Sequence, residues 1–390
     1  MKSKYAPRLL ACNTLYWVAI ALYMPFIVTF YKQRGISEFE IGILNAIGPL
    51  ISMCIQPFWA YLSDKTGRRK TVLVCLAVAA GVGIMTYLIR EGFIAYVIAT
   101  IIFTVFQTAL LPLNDALVTD TCTREGVDFS RVRMGGTVGY AVAALLLGLV
   151  IGGRETYIFP IALAGFFVFA YSVSLLPSDS VYLEEKKKES KSEKSEKSGS
   201  VFKTNEVFFI LFMAFLIQFG MSLFSSFQPV HVMNMGYGQN IIGLINFLSA
   251  MSEIPVLFVI NKLLDKYSPI KLMAFAGCIL SLRLFVVAVG NLPVILAAQL
   301  LQGPSWMIIS YSCIRLVIDY ANEGMISQAQ SRLAIVQAGL GAVVGNVVGG
   351  AMAGALGVSM AFIVMAVFVL VCTAGFYISY NAYKAKRINA

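Results

Sequence analysis

The chain has 390 residues, 58% of them hydrophobic and only 13% charged, with a mean hydropathy of +0.79. Water-soluble domains carry about 45–50% apolar and about 25% charged residues, so a soluble enzyme is excluded. The formal net charge of +10 resides in clusters between long apolar stretches, a pattern that reports membrane topology and not nucleic-acid binding.

An α-helix needs about 20 apolar residues to cross the hydrocarbon core of a bilayer, and stretches of that size recur along the chain. The first follows Lys2, Lys4 and Arg8 and runs through Tyr16, Trp17 and Phe26 with no small-residue cleavage site. It predicts a retained anchor helix, not a removed leader. Helices are predicted over 8–32, 41–63, 71–90, 93–120, 131–153 and 156–177, then over 205–231, 239–263, 269–290, 292–318, 327–355 and 358–383. Between the two sets, 178–203 interleaves seven lysines and six acids with serine. Such a segment buries too little apolar surface to order its backbone and predicts a disordered cytoplasmic linker. The expected organisation is an N-terminal six-helix bundle over 1–177, the linker over 178–203, and a C-terminal six-helix bundle over 204–390. The fold class is all-α integral membrane with twelve transmembrane helices.

With the amino terminus inside, 24 of the 30 Lys and Arg residues fall in cytoplasmic segments. Four (Lys32, Arg34, Arg90, Arg154) fall outside, and Arg283 and Arg315 lie within spans. Basic residues are retained on the cytoplasmic side, so both termini are expected there, in a multi-pass protein of the plasma membrane. The seven cysteines (12, 54, 75, 122, 278, 313 and 372) are scattered without Cys-x-x-Cys or histidine spacing, and predict neither disulfides nor zinc.

The halves repeat. Ile41-Gly42-Ile43-Leu44-Asn45 returns as Ile242-Gly243-Leu244-Ile245-Asn246, and at the same offset of 201 Asp64-Lys65 matches Asp265-Lys266 and Lys70 matches Lys271. Three matches in one register imply a duplicated unit of six helices. Parallel repeats of this kind are the architecture of two-halved secondary transporters, whose substrate site lies at mid-membrane.

The stretch Ala60-Tyr61-Leu62-Ser63-Asp64-Lys65-Thr66-Gly67-Arg68-Arg69-Lys70 combines a glycine for a tight reversal, a basic cluster, and an acid placed to accept from a helix N-terminus or an arginine. It resembles the loop between helices 2 and 3 of the major facilitator superfamily, with Ala60 in place of the usual glycine. The resemblance implies a gating loop built on Asp64, Gly67, Arg68 and Arg69. Asp115, Arg133 and Tyr140 follow on successive spans. Their spacing, an acid, an arginine 18 residues later and an aromatic seven further on, is similar to the lactose permease and phenylpropionate permease branch, where these positions form much of the N-terminal substrate site. Asp115 replaces a longer Glu and Tyr140 a Trp, so galactoside specificity is not implied. The other reading of Asp115 and Arg133 is an ion pair locking two helices together.

In the second half Glu253 and Arg283 lie about ten and fourteen residues from the inner ends of their spans, about one turn apart in depth at about 1.5 Å per residue. Mid-membrane charges cost about 2.5–3.5 kcal/mol each on insertion scales, so neither is expected to face lipid. Ser281-Leu282-Arg283 resembles the helix 9 arginine of the same permeases, which implies a part in proton coupling; a structural salt bridge is the alternative. Where those permeases carry a His and a Glu on helix 10, this chain has Leu301-Gln302-Gly303-Pro304-Ser305-Trp306. Gln302 cannot exchange a proton, so the coupling carboxylate falls to Glu253. His231, the one histidine, is expected at the surface.

Polar residues at helical spacing add a cavity lining or helix-to-helix glue: Gln218, Ser222 and Ser225; Thr104, Gln107 and Asn114; Tyr16 and Tyr23. Gly341, Gly345 and Gly349 follow no strand and so predict close helix approach, not a dinucleotide loop. The expected function is a proton-coupled symporter importing a saccharide, nucleoside or aromatic carboxylate by alternating access. Expected substrate contacts are Tyr16, Asp115, Arg133, Tyr140 and Gln218. The alternatives are a drug/proton antiporter, disfavoured by the absence of proline between Gly135 and Gly153, a facilitated uniporter, and more remotely a non-transporting sensor. The expected partners are a small-molecule substrate, protons and the lipid bilayer, with no cofactor, metal or nucleic acid, and the expected state is a monomer.

Overall fold

The computed structural model of the chain describes residues 5–177, 201–204, 206–322 and 325–388. The predicted linker therefore lies outside the described residues over 178–200, as do Lys2 and Lys4. Among the described residues the backbone is almost entirely helical, with an isolated antiparallel bridge between Phe202 and Ala321. In hydrocarbon every backbone polar group must find its partner within the segment, which leaves the helix as the available form for this composition.

Eleven helical stretches among the described residues are long and apolar enough to cross a membrane. Large apolar side chains stay exposed along them, Ile89, Val150, Phe258 and Val371 among them, as a lipid-facing surface requires. The expected span 8–32 is not one helix. It divides into α1 (Ala6–Ala21) and α2 (Ile27–Gln33), with a turn over 22–26 that contains Pro25. Proline has no amide proton and its ring clashes with the carbonyl four residues back, here that of Ala21, so the helix stops there.

The first half continues with α3 (Glu38–Thr66), α4 (Arg69–Ile84), α5 (Phe93–Gln107), α6 (Leu110–Glu125), α7 (Phe129–Ile151) and α8 (Ile158–Ser174). The second contains α9 (Val207–Asn234), α10 (Gln239–Lys266), α11 (Pro269–Val289), α12 (Leu292–Ala298), α13 (Gln302–Tyr320), α14 (Ile326–Ala334), α15 (Ala342–Leu356) and α16 (Val358–Ile388). Two predicted spans break shortly before a proline. The stretch 93–120 interrupts between α5 and α6 just before Pro112, and 292–318 passes through a 3-10 turn, Gln299–Leu301, just before Pro304. Each proline removes one i→i−4 bond and loosens the turn before it. Both breaks fall beside polar residues: Asn114 and Asp115 after the first, Gln299 and Gln302 around the second. The predicted span 327–355 is α14 and α15 joined by a π-helical segment, Ile335–Gly341.

The described residues form two compact units. One draws on Met1–Ile36, Leu50–Glu196 and Met235–Phe247, the other on Ser37–Pro49, Lys197–Asn234 and Leu248–Ala390. The first turns of α3 and of α10, which carry the repeated motif, thus pack in the unit that does not hold the rest of their helix. A Cβ on Gly243 would lie 2.5 Å from the Ala144 carbonyl oxygen and 3.1 Å from the Gly148 Cα in the first unit. In the second, a Cβ on Gly42 would lie 2.5 Å from the Asn346 carbonyl oxygen and 2.8 Å from the Gly350 Cα. The repeat keeps a bare backbone at the register where two helices touch main chain to main chain. Likewise Gly341, Gly345 and Gly349 meet Phe215, Phe219 and Leu223 of α9.

Candidate functional site

In the first unit, α1, α6 and α7 bring together Tyr16, Trp17, Asp115, Arg133 and Tyr140. The Arg133 guanidinium lies over the Trp17 ring, 4.6 Å from its centroid. Trp17 meets Tyr16 edge-on at 5.4 Å and Tyr140 edge-on at 6.3 Å. Tyr16 is buried and packs against Phe169, with Asp115 and Arg133 both close enough to act on it electrostatically. The Tyr140 hydroxyl donates to Asn246 Oδ1 at 3.2 Å. Beneath this cluster Asn114 donates to Asn13 Oδ1 at 3.3 Å and Asn13 to the Val132 carbonyl at 2.9 Å, tying the three helices together.

Asp115 and Arg133 are not joined by an ion pair within 4.0 Å; they interact at longer range. The guanidinium is committed to the indole face instead. Asp115 Oδ1 is buried and has no hydrogen-bond partner, and the same holds for Trp17 Nε1. A buried acceptor and a buried donor left open in one cluster of half-exposed side chains is the signature of a place where a ligand supplies the missing partners.

In the second unit Arg283 of α11 is 2% exposed. One guanidinium nitrogen donates to Gln302 Oε1; another donates to Gln299 Oε1 at 2.7 Å and to Ser249 Oγ at 3.4 Å. Its carbon lies 4.4 Å from the centroid of the Phe224 ring. Ser249 in turn donates to Gln299 Oε1 at 3.0 Å. The charge of Glu253 acts on this guanidinium, while amides and a hydroxyl supply the acceptors. Gln218 donates to Ser222 Oγ at 2.9 Å on α9, facing Gly341 of the π-helical segment.

A family model described as the MFS_1 like family matches residues 8–364. The chain belongs to the MFS_1 like family. It is 23% identical over 278 residues to the uncharacterized transporter YwbF of Bacillus subtilis (strain 168), covering 70% of this chain and 67% of that one. It is 25% identical over 329 residues to the maltose permease of Geobacillus stearothermophilus, covering 83% and 81%. The crystal structure of the nucleoside transporter NupG matches with a TM-score of 0.80 at 14% identity, over 96% of this chain and 98% of that one. The major facilitator fold and a multi-pass integral membrane transporter follow from these matches, and such transporters are not enzymes.

In this MFS_1 like chain the loop after α3 turns at Gly67, whose φ of +65° is a left-handed value that glycine adopts without steric cost. Arg69 lies 3.6 Å from Asp64 and pairs more closely with Asp120 near the end of α6. Lys70 donates to the Ser174 and Leu176 carbonyls at 2.8 and 2.7 Å. Arg68 is exposed. The His231 expectation is corrected: it is 5% exposed, with Nε2 at 3.0 Å from the Val287 carbonyl and Nδ1 at 3.3 Å from the Ser359 hydroxyl. The reason is helical length: α9 continues to Asn234, which draws His231 inside the packing of α11 and α16.

Sequence reasoning missed Trp17, Asp120, Gln299 and Phe224 as members of these clusters. Gln299 stands three residues before Gln302, a spacing that places both amides on one helix face. Trp17 and Phe224 carry no such signal, because an aromatic in an apolar span looks the same wherever it points.

Proposed function

We propose that the chain is a proton-coupled symporter of the plasma membrane that imports a small polar organic solute, a saccharide, nucleoside or aromatic carboxylate, by alternating access. The observation that carries this reading is the Asp115–Arg133–Trp17 cluster, with opposite charges and an open buried acceptor and donor inside an aromatic surround. Opposite charges nearly cancel in sum, so the cluster suits a solute that hydrogen-bonds more than one that carries a large net charge. Tyr16, Asp115, Arg133, Tyr140 and Gln218 are the proposed solute contacts. The similarity to a maltose permease and, in fold, to a nucleoside transporter supports a solute of this kind. The absence of proline between Gly135 and Gly153 favours import over efflux.

Glu253 is the proton carrier in this reading and Arg283 its electrostatic partner. A carboxylate is ionised while a cation stands beside it and takes a proton when that cation is withdrawn in a dry setting, which ties protonation to the conformational cycle. Asp64, Gly67, Arg68 and Arg69 form the gating loop. Both termini and the 178–203 linker face the cytoplasm, between bundles over 1–177 and 204–390, and the chain works as a monomer. We place it in the lactose permease and phenylpropionate permease branch. Uptake by proteoliposomes under an inward proton gradient, with labelled maltose, uridine and phenylpropionate, tests the reading. Accumulation of at least one solute that collapses with a protonophore supports it; gradient-independent equilibration of every solute contradicts symport.

A further inference from the structure

The first-unit cluster contains a residue whose geometry sets it apart from packing. Trp17 is engaged on a face and on its edges. One face carries the Arg133 guanidinium at 4.6 Å. Its edges meet Tyr16 and Tyr140. The remaining feature, the indole N–H, is buried without an acceptor, although indole nitrogens find a partner when they are buried.

The backbone is cut to hold the indole in this pose. A Cβ at Gly136 would lie 2.3 Å from Trp17 Cδ1 and 2.9 Å from Nε1. Gly136 follows Arg133 by three residues on α7, so one helical turn presents the notch for the indole and the cation that covers it. A guanidinium stacks on an aromatic plane in a way an ammonium does not reproduce.

We propose that Trp17 is a positioning and specificity residue of the solute site: its ring fixes the Arg133 guanidinium, and its N–H is reserved for an acceptor on the solute. In the same cluster Asp115 Oδ1 stands open as an acceptor. A hydroxyl or an amide answers both, accepting from the indole and donating to the carboxylate. A solute carboxylate answers only the first, because it has no proton to give. Within the three classes above, the pair of open atoms selects hydroxyl- or amide-bearing solutes over aromatic carboxylates. The inference rests on the reading of Asp115 and Arg133 as solute contacts.

The test uses the full-length protein in proteoliposomes with labelled maltose, uridine and phenylpropionate. Trp17→Phe keeps a ring for Arg133 and deletes the N–H; Trp17→Leu deletes both. For maltose or uridine, Trp17→Phe is expected to raise the half-saturation concentration about 5–10-fold, the loss of one hydrogen bond. Trp17→Leu is expected to raise it further, with the maximal rate unchanged in both. A form retaining Trp17 alone of the three tryptophans, made with Trp59→Phe and Trp306→Phe, is expected to change its emission when the transported solute is added. Wild-type half-saturation in Trp17→Leu, or an unresponsive emission in the presence of a transported solute, overturns the assignment. If Arg133→Lys is impaired while Trp17→Leu is normal, only the Trp17 inference fails. If both variants keep wild-type half-saturation, the reading of the whole cluster as the solute site fails.

Discussion

Arg133 and Arg283 both lie over an aromatic ring inside an apolar chain, yet the two units hold them in opposite ways. Arg283 is 2% exposed and its terminal nitrogens reach Gln302, Gln299 and Ser249. Arg133 is half-exposed, stacks on Trp17, and makes no hydrogen bond to a described residue. A guanidinium has five N–H donors; the terminal nitrogens of Arg283 make three hydrogen bonds to the protein while its Nε is left open, and Arg133 makes none to a described residue. Burial explains the difference. A cation withdrawn from water must have its donors satisfied or it destabilises the fold, whereas a half-exposed one remains available. The comparison teaches that a charged residue within a span is assigned by its partners and not by its depth.

Stability separates the two most sharply. Arg283→Leu leaves Gln302 Oε1 without its donor, at about 1–3 kcal/mol, and removes the donor that Gln299 and Ser249 share. The thermal unfolding midpoint in detergent is expected to fall steeply, and Arg283→Lys is expected to restore little of it, because a compact ammonium cannot reproduce the fork. Arg133→Leu forfeits a cation–π contact worth about 1 kcal/mol and is expected to lower the midpoint far less. Equal losses would break the comparison.

Binding is expected to show the reverse order. Arg133→Lys keeps the charge and loses the planar fork, so the dissociation constant for the transported solute is expected to rise about tenfold, or ~1.4 kcal/mol, with the unfolding midpoint in place. Isothermal titration of the purified protein measures it. An unchanged constant together with a lowered midpoint would make the Arg133 cluster structural.

The smallest effect is expected at the loop after α3. Arg69 and Asp120 are both partly exposed, and pairs of that kind contribute about 0–1 kcal/mol. Asp120→Asn is expected to move the midpoint by no more than about a degree while slowing uptake, since the pair ties the loop to α6. A large loss of stability would instead make this loop part of the structural frame, alongside Arg283.

Much of the fold was legible in the chain because lipid imposes a simple rule: spans must be long, apolar and helical. The 201-residue offset located Gly42 and Gly243, the positions where main chains touch. The prolines were legible in principle, yet 8–32 was predicted as one helix although Pro25 ends α1 there. The acid, arginine and tyrosine of the first cluster were singled out by a resemblance to the lactose and phenylpropionate permeases, but the ion pair weighed for Asp115 and Arg133 is absent, because the indole of Trp17 competes for the guanidinium. Hydropathy ranks residues by polarity, so it finds charges in a span and is blind to which aromatic stands next to them. His231 was misplaced for a related reason. A polar residue near a predicted helix end reads as surface unless the true end is known, and α9 runs three residues further.

The central claim is that the Arg133 cluster takes the solute while Glu253, beside Arg283, takes the proton, and one measurement separates these roles. Glu253→Gln keeps the shape of the side chain and removes its proton exchange. In proteoliposomes it is expected to abolish solute accumulation driven by a pH gradient while leaving solute exchange at equal concentrations intact. Continued uphill accumulation in Glu253→Gln would contradict the account and move the proton to another carboxylate, with Asp115 next in line.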